Sequence, residues 1–356
     1  MNVLIMAAGT GGHIFPALAV ADELTRRGAV VHWLGTPNGM ENRLVKDYPM
    51  HHIAMQGIRG NGLMRKIKLP FMLFNATNHA KKVIKNNNID ILVGFGGYVS
   101  SAGGLAGKLA GKPLIIHEQN AICGMSNRTL ARFADVVLQA FDNAFGGEFA
   151  DKTLTVGNPV RADFALVPAP DKRYDLTDKS PLKVLVVGGS LGASAINTAI
   201  VDLLKTKPNL IIKHQCGRDN FDAVQNAYTQ AGIDLQRATP LAFIDDMAAA
   251  YAWADVVVCR AGALTVSEIA SLGVAAIFIP LPTAVDDHQT FNAKSLTDNG
   301  AAILLPQSEL SGEKLAQILN TLDREKCLAM AQKAKSYAKH DVAKTVAEMV
   351  LASVKG

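Results

Sequence analysis

Three short segments of the sequence contain residue types suited to binding phosphate groups. Residues 9–13, 188–193 and 260–268 each follow an apolar run typical of a buried strand, and each leads from glycine into a helical pattern. A tight turn between a strand and a helix presents backbone N–H groups and the positive end of the helix dipole to an anion. In the third segment, Arg260 adds a permanent positive charge.

The third segment also has a purely structural interpretation. Thr265 and Glu268 have the spacing of a capping box, in which a threonine begins a helix and a glutamate three residues later bonds back to it. Arg260 would then pair with Asp255 or Glu268 and contact no ligand. The same strand, turn and helix pattern elsewhere in the chain favours the binding of a ligand.

The elements that must position these segments alternate along the chain. Strand and helix patterns follow one another from residues 2–8 onwards, stop in the polar, proline-rich segment 161–181, and begin again at residues 182–187. This alternation is typical of parallel sheets covered by helices. It predicts an α/β protein with two Rossmann-like domains facing across a cleft, and segment 161–181 as the linker between them.

Length and composition agree with this class. The chain has 356 residues, 49% of them hydrophobic and 19% charged, which is too long for one ordinary core. No apolar run reaches the ~18 residues of a membrane span, and the first residues fit a strand better than a signal peptide. Four cysteines without CxxC spacing indicate a reducing cytoplasm and no zinc site.

The glycine-rich turns lack the signatures of dinucleotide and ATP sites. The turns at residues 9–13 and 188–193 both lack the GxGxxG pattern, and no Walker sequence is present. The strand that follows each turn ends without an acid, at residues 33–35 and 215–217. A nucleotide-sugar is the next candidate, because its diphosphate leaving group needs neutralisation. The chain has no Asp-x-Asp motif for a metal. Helix N-termini with Arg161 and Arg260 would replace it, which predicts a metal-independent transferase.

A set of longer motifs resembles one family from the first strand to the last helix. The motifs are GTGGHIFP at 9–16, GGYVS at 96–100, HEQN at 117–120, GNPVR at 157–161, GGSLGA at 188–193, FIDDMAAAYAWADVVVCRAGALTVSE at 243–268 and DDHQTFNA at 286–293. They are similar to the MurG family of bacterial transferases, in glycosyltransferase family 28. The resemblance implies a GT-B fold and inverting transfer of N-acetylglucosamine from UDP-N-acetylglucosamine to the 4-hydroxyl of N-acetylmuramoyl-pentapeptide on undecaprenyl pyrophosphate. It implies no cofactor or metal.

The resemblance also assigns donor-binding positions. Among them, Glu268 is expected to hold the ribose hydroxyls, Ile244 to meet uracil through its backbone, and Gln289 to hold the sugar. Leu191 is a departure, since the family often has glutamine there, but the backbone turn should be kept. The donor-binding positions are Thr10, Gly11, Gly12, Asn120, Arg161, Ser190, Ile244, Ala263, Leu264, Thr265, Val266, Ser267, Glu268 and Gln289.

Two residues are candidates for the base that deprotonates the acceptor hydroxyl. His13 lies at the first glycine-rich turn, and a neutral imidazole near pH 7 suits the role. The alternatives for this histidine are that it caps the helix or binds the acceptor diphosphate. Glu118 follows a buried strand, and its alternative is a salt bridge to a neighbouring helix. Supporting positions in the family motifs are Tyr98, Asn127, Asn197 and Arg260. Asn127 has the alternative of a helix cap.

A basic and apolar segment suggests a membrane surface. Residues 48–89 contain seven Lys or Arg and no Asp or Glu. One interpretation is a helix with solvated lysines. The favoured one is a rim on the anionic cytoplasmic face of the inner membrane, where a polyprenyl-linked acceptor resides. The rim comprises Lys66, Lys68, Phe71, Phe74, Lys81, Lys82 and Lys85. No nucleic-acid motif accompanies these residues.

The expected division of labour follows from these assignments. Residues 1–162 form an N-terminal domain facing the acceptor and the membrane. The C-terminal helix, residues 340–356, is expected to pack back on that domain. Residues 163–339 form the domain that binds the UDP-sugar.

Overall fold

The structure is a computed structural model that describes residues 1–55, 63–189, 193–206 and 209–354, with side chains omitted for residues 63–69. The chain forms two compact units. The first comprises Met1–Arg161 together with the C-terminal residues from Lys339, and the second is Ala162–Ala338.

The described part of the first unit contains a parallel sheet of seven strands, in the order β3-β2-β1-β4-β5-β6-β7. Central strands such as β4 are buried along their whole length, which explains why they consist of uninterrupted apolar runs. The strands are β1 (Asn2–Met6), β2 (Val30–Gly35), β3 (Met50–His52), β4 (Ile91–Gly94), β5 (Leu114–Glu118), β6 (Val136–Gln139) and β7 (Thr153–Thr155).

Helices cover the sheet of the first unit, and one of them comes from the C-terminal end of the chain. This last helix buries Val342, Val346, Ala347 and Val350 on one face, in the same apolar cluster as the first helix. Arg27 and Glu348 add an ion pair of 3.0 Å. The helices are α1 (Gly11–Arg26), α2 (Glu41–Leu44), α3 (Leu63–Asn86), α4 (Gly97–Leu109), α5 (Met125–Ala131) and α14 (Val342–Ala352).

The second unit repeats this arrangement. Its described residues form a six-stranded parallel sheet in the order β10-β9-β8-β11-β12-β13. The strands are β8 (Leu182–Val187), β9 (Leu210–Gln215), β10 (Ala238–Leu241), β11 (Val256–Cys259), β12 (Ala275–Phe278) and β13 (Ile303–Leu304). The helices are α6 (Pro170–Arg173), α7 (Ser194–Lys205), α8 (Phe221–Gln230), α9 (Met247–Trp253), α10 (Ala263–Leu272), α11 (His288–Thr297), α12 (Gly312–Asn320) and α13 (Arg324–Ser336).

The prediction that segment 161–181 is a linker is wrong for much of its length. The segment contains a short helical turn, Ala162–Leu166, and α6. Tyr174 is buried in the core of the second unit, where its hydroxyl donates to the carbonyl of Asp255. Proline and polar residues suggested a solvated chain, but two isolated aromatic side chains of the segment, Phe164 and Tyr174, are buried.

Both sheets have the strand order of the Rossmann fold. The first strand of each unit lies near the centre, and the next strands are added first on one side of it and then on the other. The prediction of two Rossmann-like α/β domains is therefore confirmed. Among the residues that the structure describes, no helix is long and apolar enough to cross a membrane. The four cysteines are free and buried.

Candidate active site

The predicted residues of the first unit lie at one edge of its sheet. Every described strand pair there is parallel, so the carboxyl ends of the strands share an edge. Residues 10–13 follow β1, Tyr98 follows β4 and is half-buried at the start of α4, and Arg161 follows β7. Glu118 ends β5, and Asn120 follows it. This edge is where open α/β sheets bind their ligands.

The first glycine-rich turn places His13 at this edge. Gly9 has φ +96°, a backbone conformation that favours glycine, and α1 begins at Gly11 after an extended Thr10. The His13 Nδ1 atom lies 3.3 Å from the carbonyl oxygen of Ala8. In the neutral ring this nitrogen carries the proton, and Nε2 retains its lone pair. This contact is not a helix cap, because a cap accepts from a backbone N–H.

The His13 ring lies beside the turn that follows β4. A methyl group on Gly96 would lie 3.3 Å from His13 Nε2 and 3.6 Å from Nδ2 of Asn127. The glycine, with φ +89°, therefore lets the imidazole and the Asn127 amide come close together. Residues of three predicted motifs therefore lie close together. His13 belongs to the motif at 9–16 and Gly96 to that at 96–100, and Asn127 donates hydrogen bonds to His117 and Glu118 of the motif at 117–120.

Glu118 is buried, and its carboxylate is surrounded by N–H donors. Oε1 accepts from the backbone and side-chain nitrogens of Asn120 at 2.9 and 3.1 Å. Oε2 accepts from the backbone of Gly124 at 3.1 Å and from Asn127 Nδ2 at 2.9 Å. These neutral donors take the place of the salt bridge considered above. Asn127 is not a helix cap either, because Gly124 is the N-cap of α5.

A buried histidine ties the end of β5 to the loop after β7. His117 Nε2 donates to the carbonyl of Gly157 at 2.9 Å, and Nδ1 accepts from the Gln119 amide at 3.1 Å. Asn158 in turn donates to the carbonyl of Gln119 at 3.0 Å. Burial lowers the pKa of His117 to about 4, so the ring is neutral near pH 7. These bonds fix the backbone that leads to Arg161.

Glu41 is a residue of this edge that the sequence analysis missed. It lies after β2, is fully buried, and accepts a hydrogen bond from the backbone N–H of Gly9 at 3.2 Å. Residues 33–35, at the end of the second strand, contain no acid. The signal was an acid six residues beyond the strand, after a loop containing Gly39.

In the second unit, the turn after β11 excludes the capping-box interpretation. The N-cap of α10 is Gly262, so Thr265 is the third residue of the helix and Glu268 the sixth. A capping box needs the threonine at the N-cap itself. Glu268 instead accepts a hydrogen bond from the hydroxyl of Tyr251 at 3.1 Å. Tyr251 is buried and is another residue that the sequence analysis did not assign.

Arg260 has structural partners, although not the expected ones. Its Nη1 donates to the carbonyls of Ile279 at 3.1 Å and Pro280 at 3.2 Å. Asp255 pairs instead with Arg324 at 3.2 Å, so the alternative in which Arg260 pairs with Asp255 is wrong. Burial lowers the pKa of Arg260, which remains a cation at neutral pH. Arg260 therefore joins the turn after β11 to the loop after β12.

The remaining donor positions of the second unit also follow strand ends. Ile244 is half-buried in the loop after β10, and Gln289 lies in the first turn of α11, where its Oε1 accepts from the backbone of Leu281 at 3.0 Å. Asn292, fully buried, donates to the carbonyl of Ala261 at 3.2 Å. Helix α11 is thereby bonded both to the loop after β12 and to the turn after β11.

The second glycine-rich turn is held by the end of β9. Gln215 Nε2 donates to the carbonyl of Gly189 at 3.0 Å, and the N–H of Gly188 donates to the carbonyl of Gln215 at 3.2 Å. Gly189 has φ +83°. The predicted donor contact Ser190 and the departure Leu191 lie outside the described residues.

Asn197 belongs to a buried network in the second unit. Its amide donates to the carbonyl of Cys216 at 3.0 Å and accepts from His214 Nε2 at 3.0 Å. The other ring nitrogen of His214 accepts from the hydroxyl of Tyr228 at 2.8 Å. Burial lowers the pKa of His214 to about 4. The network attaches α7, which follows the second glycine-rich turn, to the end of β9.

The membrane rim lies largely on α3. Phe71 and Phe74 are 71% and 66% exposed, whereas the side chains of Lys66 and Lys68 lie outside the described part. Further along the helix, a cavity of about 470 Å³ is surrounded by lysines. Its lining residues are Lys81, Lys82, Ile84, Lys85, Asn88, Ala110 and Lys112.

Comparison with known proteins identifies the class of protein. Residues 3–139 match the model of the glycosyltransferase family 28 N-terminal domain, and residues 183–347 match that of the C-terminal domain. The chain therefore belongs to glycosyltransferase family 28, and the predicted resemblance is confirmed.

Individual relatives define its similarities further. It is 56% identical over 353 residues, 98% of both chains, to the UDP-N-acetylglucosamine–N-acetylmuramyl-(pentapeptide) pyrophosphoryl-undecaprenol N-acetylglucosamine transferase of Psychrobacter cryohalolentis. The crystal structure of Acinetobacter baumannii MurG is similar with a TM-score of 0.81 and 44% identity, covering 99% of each chain. A UDP-GlcNAc 2-epimerase from Neisseria meningitidis has a TM-score of 0.69 at 14% identity, covering 99% of this chain and all of the epimerase, which is a likeness of fold alone.

Proposed function

We propose that the protein transfers N-acetylglucosamine from UDP-N-acetylglucosamine to the 4-hydroxyl of N-acetylmuramoyl-pentapeptide on undecaprenyl pyrophosphate. It is an inverting hexosyltransferase of peptidoglycan synthesis. The observation that carries this proposal is the 56% identity, over 98% of the chain, to a transferase whose name states the transferred sugar and the polyprenyl acceptor. The arrangement of residues at the sheet edge of the first unit supports the chemistry.

His13 is the proposed base. Its Nδ1–H faces the Ala8 carbonyl, so Nε2 is the ring nitrogen that would accept the proton of the acceptor 4-hydroxyl. As that proton moves to Nε2, the hydroxyl oxygen bonds to C1 of N-acetylglucosamine. The bond from C1 to the β-phosphate oxygen breaks on the opposite face, and its electron pair leaves with UDP. Attack from the face opposite the leaving group inverts C1.

Glu118 fits a positioning role better than that of the base. Both of its oxygens accept two hydrogen bonds from Asn120, Gly124 and Asn127. A general base must reach the proton that it removes, and a carboxylate already bound by four donors is poorly placed for this. The network instead holds Asn120, a predicted donor contact, and Asn127 beside His13.

The second unit is proposed to bind the uridine diphosphate portion of the donor. Glu268, at the first turns of α10, would accept hydrogen bonds from the ribose hydroxyls, and Ile244 would meet uracil through its backbone. The N-terminal amides of α10, from Ala263 to Thr265, would face the diphosphate together with Ser190. The other predicted contacts, including Thr10, Gly11, Gly12 and Arg161 of the first unit and Gln289 of the second, keep their proposed donor roles.

A release assay tests the proposed reaction against two alternatives. Purified protein is mixed with UDP-N-acetylglucosamine, with and without a polyprenyl-pyrophosphoryl N-acetylmuramoyl-pentapeptide. Acceptor-dependent UDP release with a disaccharide product supports the transferase. UDP formed without any acceptor would favour an epimerase, since the UDP-GlcNAc 2-epimerase from Neisseria meningitidis has a similar fold. Binding without turnover would favour a UDP-sugar sensor. Turnover that is unchanged by EDTA would support metal independence.

We further propose that the exposed face of α3 contacts the anionic cytoplasmic surface of the inner membrane. Phe71, Phe74, Lys81, Lys82 and Lys85 are all exposed, and their spacings repeat on one helical face. The phenylalanines would insert among the lipids, and the lysines would attract anionic headgroups. Peripheral binding of this kind would bring the protein to a lipid-linked acceptor.

Replacement of Lys81, Lys82 and Lys85 by Ser tests this surface. Each cation near an anionic surface contributes about 1 kcal/mol, so the triple variant should bind phosphatidylglycerol vesicles roughly a hundredfold more weakly at low salt. Vesicle sedimentation over a salt series measures the effect.

A matched control removes three exposed lysines of the second unit, Lys172, Lys179 and Lys333, also to Ser. It has the same change in net charge. Equal weakening in the control would show that total charge, and not the face of α3, determines vesicle binding.

A further inference from the structure

Glu41 is a buried residue, and two glycines near it in the sequence leave room for its side chain. It is fully inaccessible to solvent, and no lysine or arginine pairs with it among the described residues. A methyl group at Gly39 would overlap its carboxylate, and one at Gly35 would lie 2.9 Å from its Cγ. Both glycines leave the space that the Glu41 side chain occupies. Burying a charge is costly, which calls for a compensating role.

Among the residues that the structure describes, two donate hydrogen bonds to this carboxylate. Oε1 accepts from the backbone N–H of Thr36 at 2.7 Å and from its hydroxyl at 2.8 Å. Oε2 accepts from the backbone N–H of Gly9 at 3.2 Å. Thr36 follows directly after β2, and Gly9 lies in the turn after β1. Glu41 therefore connects the loops that follow two adjacent strands.

The Gly9 N–H and the Ala8 carbonyl belong to the same planar peptide group. Its N–H donates to Glu41 Oε2, and its oxygen accepts from His13 Nδ1 at 3.3 Å. A carboxylate, a peptide group and an imidazole are thus joined in one chain of hydrogen bonds. Hydrogen bonds in such a chain polarise one another, so the carboxylate strengthens the carbonyl as an acceptor.

We propose that Glu41 is a positioning residue for His13, acting through the Ala8–Gly9 peptide group. The carboxylate fixes the orientation of this peptide, and the carbonyl then holds the proton on Nδ1 of His13. That tautomer presents the Nε2 lone pair to the acceptor hydroxyl. In serine hydrolases a carboxylate contacts the histidine directly for the same purpose, whereas here a backbone peptide lies between them. The inference rests on the proposed transferase function.

The variant Glu41→Gln tests the link with little change in size. The amide offers one acceptor oxygen, so if it faces Thr36, the NH2 group faces the Gly9 N–H. We expect kcat to fall about tenfold, as for the loss of a hydrogen bond to a charged group. The affinity for UDP, whose uracil and ribose contacts are proposed in the second unit, should stay within about twofold of the wild type. Steady-state kinetics and calorimetry measure these quantities.

Asp90→Asn is the matched control. Asp90 accepts a hydrogen bond at 2.7 Å from the N–H of Asn2, at the start of β1, and so holds the opposite end of the strand that leads to Gly9. It should retain the wild-type kcat. A similar loss of kcat in both variants, or a parallel loss of UDP affinity in Glu41→Gln, would show a general effect on the fold and overturn the inference.

The tautomer of His13 gives a readout independent of turnover. In the 15N NMR spectrum of histidine-labelled full-length protein, the His13 ring should show a protonated Nδ1, and Glu41→Gln should shift the population toward the Nε2–H form. An unchanged tautomer together with an unchanged kcat would refute the inference. If the wild type releases no UDP with the acceptor, the proposed function fails, and the spectrum still tests the link from Glu41 to His13.

Discussion

The two units share a strand order, yet they hold their glycine-rich turns with opposite chemistry. In the first unit, the carboxylate of Glu41 accepts from the N–H of Gly9. In the second, the amide of Gln215 donates to the carbonyl of Gly189. Gln215 ends the second strand of its unit, and Glu41 begins α2, the helix after the second strand of the first unit. The first turn therefore has a carboxylate beside it, and the second has a neutral amide.

This difference indicates how one fold serves two tasks. A phosphate placed close to a buried carboxylate is disfavoured by repulsion between like charges, so the turn beside Gln215 suits the donor diphosphate better. In the proposed mechanism, the turn beside Glu41 orients His13. A repeated strand order thus sets where a site lies, and single side chains at the ends of the strands decide what each turn does.

The largest expected effect comes from removing the proposed base, His13. His13→Ala should lower kcat roughly a hundredfold or more, the usual contribution of a general base. The affinity for UDP should be unchanged, because the proposed uridine contacts lie in the second unit. Acceptor-dependent UDP release and calorimetry with UDP measure the two quantities. Full activity would remove His13 from the mechanism and return the role of base to Glu118.

Placing a carboxylate beside the second glycine-rich turn, as in the first unit, should have the next largest effect. Gln215→Glu adds a negative charge and removes the hydrogen bond to the Gly189 carbonyl, so the affinity for UDP should fall roughly tenfold or more. Calorimetry measures it.

Gln215→Met separates these two causes, because it loses the hydrogen bond and adds no charge. Equal UDP affinity in Gln215→Glu and Gln215→Met would mean that the charge difference between the two turns has no influence on the donor.

A smaller effect is expected where Tyr251 contacts Glu268. Tyr251→Phe removes the hydroxyl that donates to Oε2 at 3.1 Å, so the ribose contact should weaken and the donor KM rise about fivefold with little change in kcat. Tyr228→Phe is the matched control, since it removes another buried hydroxyl of the same unit, bonded to His214. An equal rise of KM in both variants would indicate a change in the packing of the second unit.

Each unit has one fully buried histidine that should make its stability depend on pH. His117 and His214 have pKa values of about 4 in the folded protein, below the ordinary value of 6.5. Between these values the unfolded chain binds a proton that the folded chain does not. The contribution of these two histidines to the free energy of unfolding is therefore fully present above about pH 6.5. It declines as the pH falls toward 4, by on the order of 1 kcal/mol per pH unit for each histidine.

Urea denaturation at pH 7 and at pH 5 measures this decline. His117→Gln should flatten the dependence for the first unit only, and His214→Gln for the second only. A variant with an unchanged slope would show that its histidine is protonated equally in the folded and unfolded states.

Much of the fold was predictable, because parallel strands buried on both faces leave apolar runs such as residues 256–259. The position of Tyr174 was not, since one aromatic side chain in a polar segment gives no periodic signal. The boundaries of α10 were also missed. The sequence suggested Thr265 as the first residue of the helix, whereas Gly262 is the N-cap, and glycine at an N-cap is compatible with many loop patterns.

The sequence predicted where the residues of the candidate site lie in the fold, but not which hydrogen bonds they make. Motif spacing placed His13 and Glu118 at the ends of β1 and β5, because residues after parallel strands meet at one edge. It gave no indication that Glu118 is bound by four neutral donors, or that Glu41 reaches Gly9 from beyond β2. Such contacts depend on the path of loops between elements, which local propensity does not determine.

The return of α14 to the first unit has a consequence for the order in which the chain can fold during synthesis. The buried face of this helix completes the apolar cluster around α1, but its codons are translated after those of the second unit. On the ribosome, the second unit can finish folding while the first still lacks a layer of its core. A nascent chain stalled before Val342 would expose the uncovered side of α1, making it a target for chaperones or proteases until translation resumes.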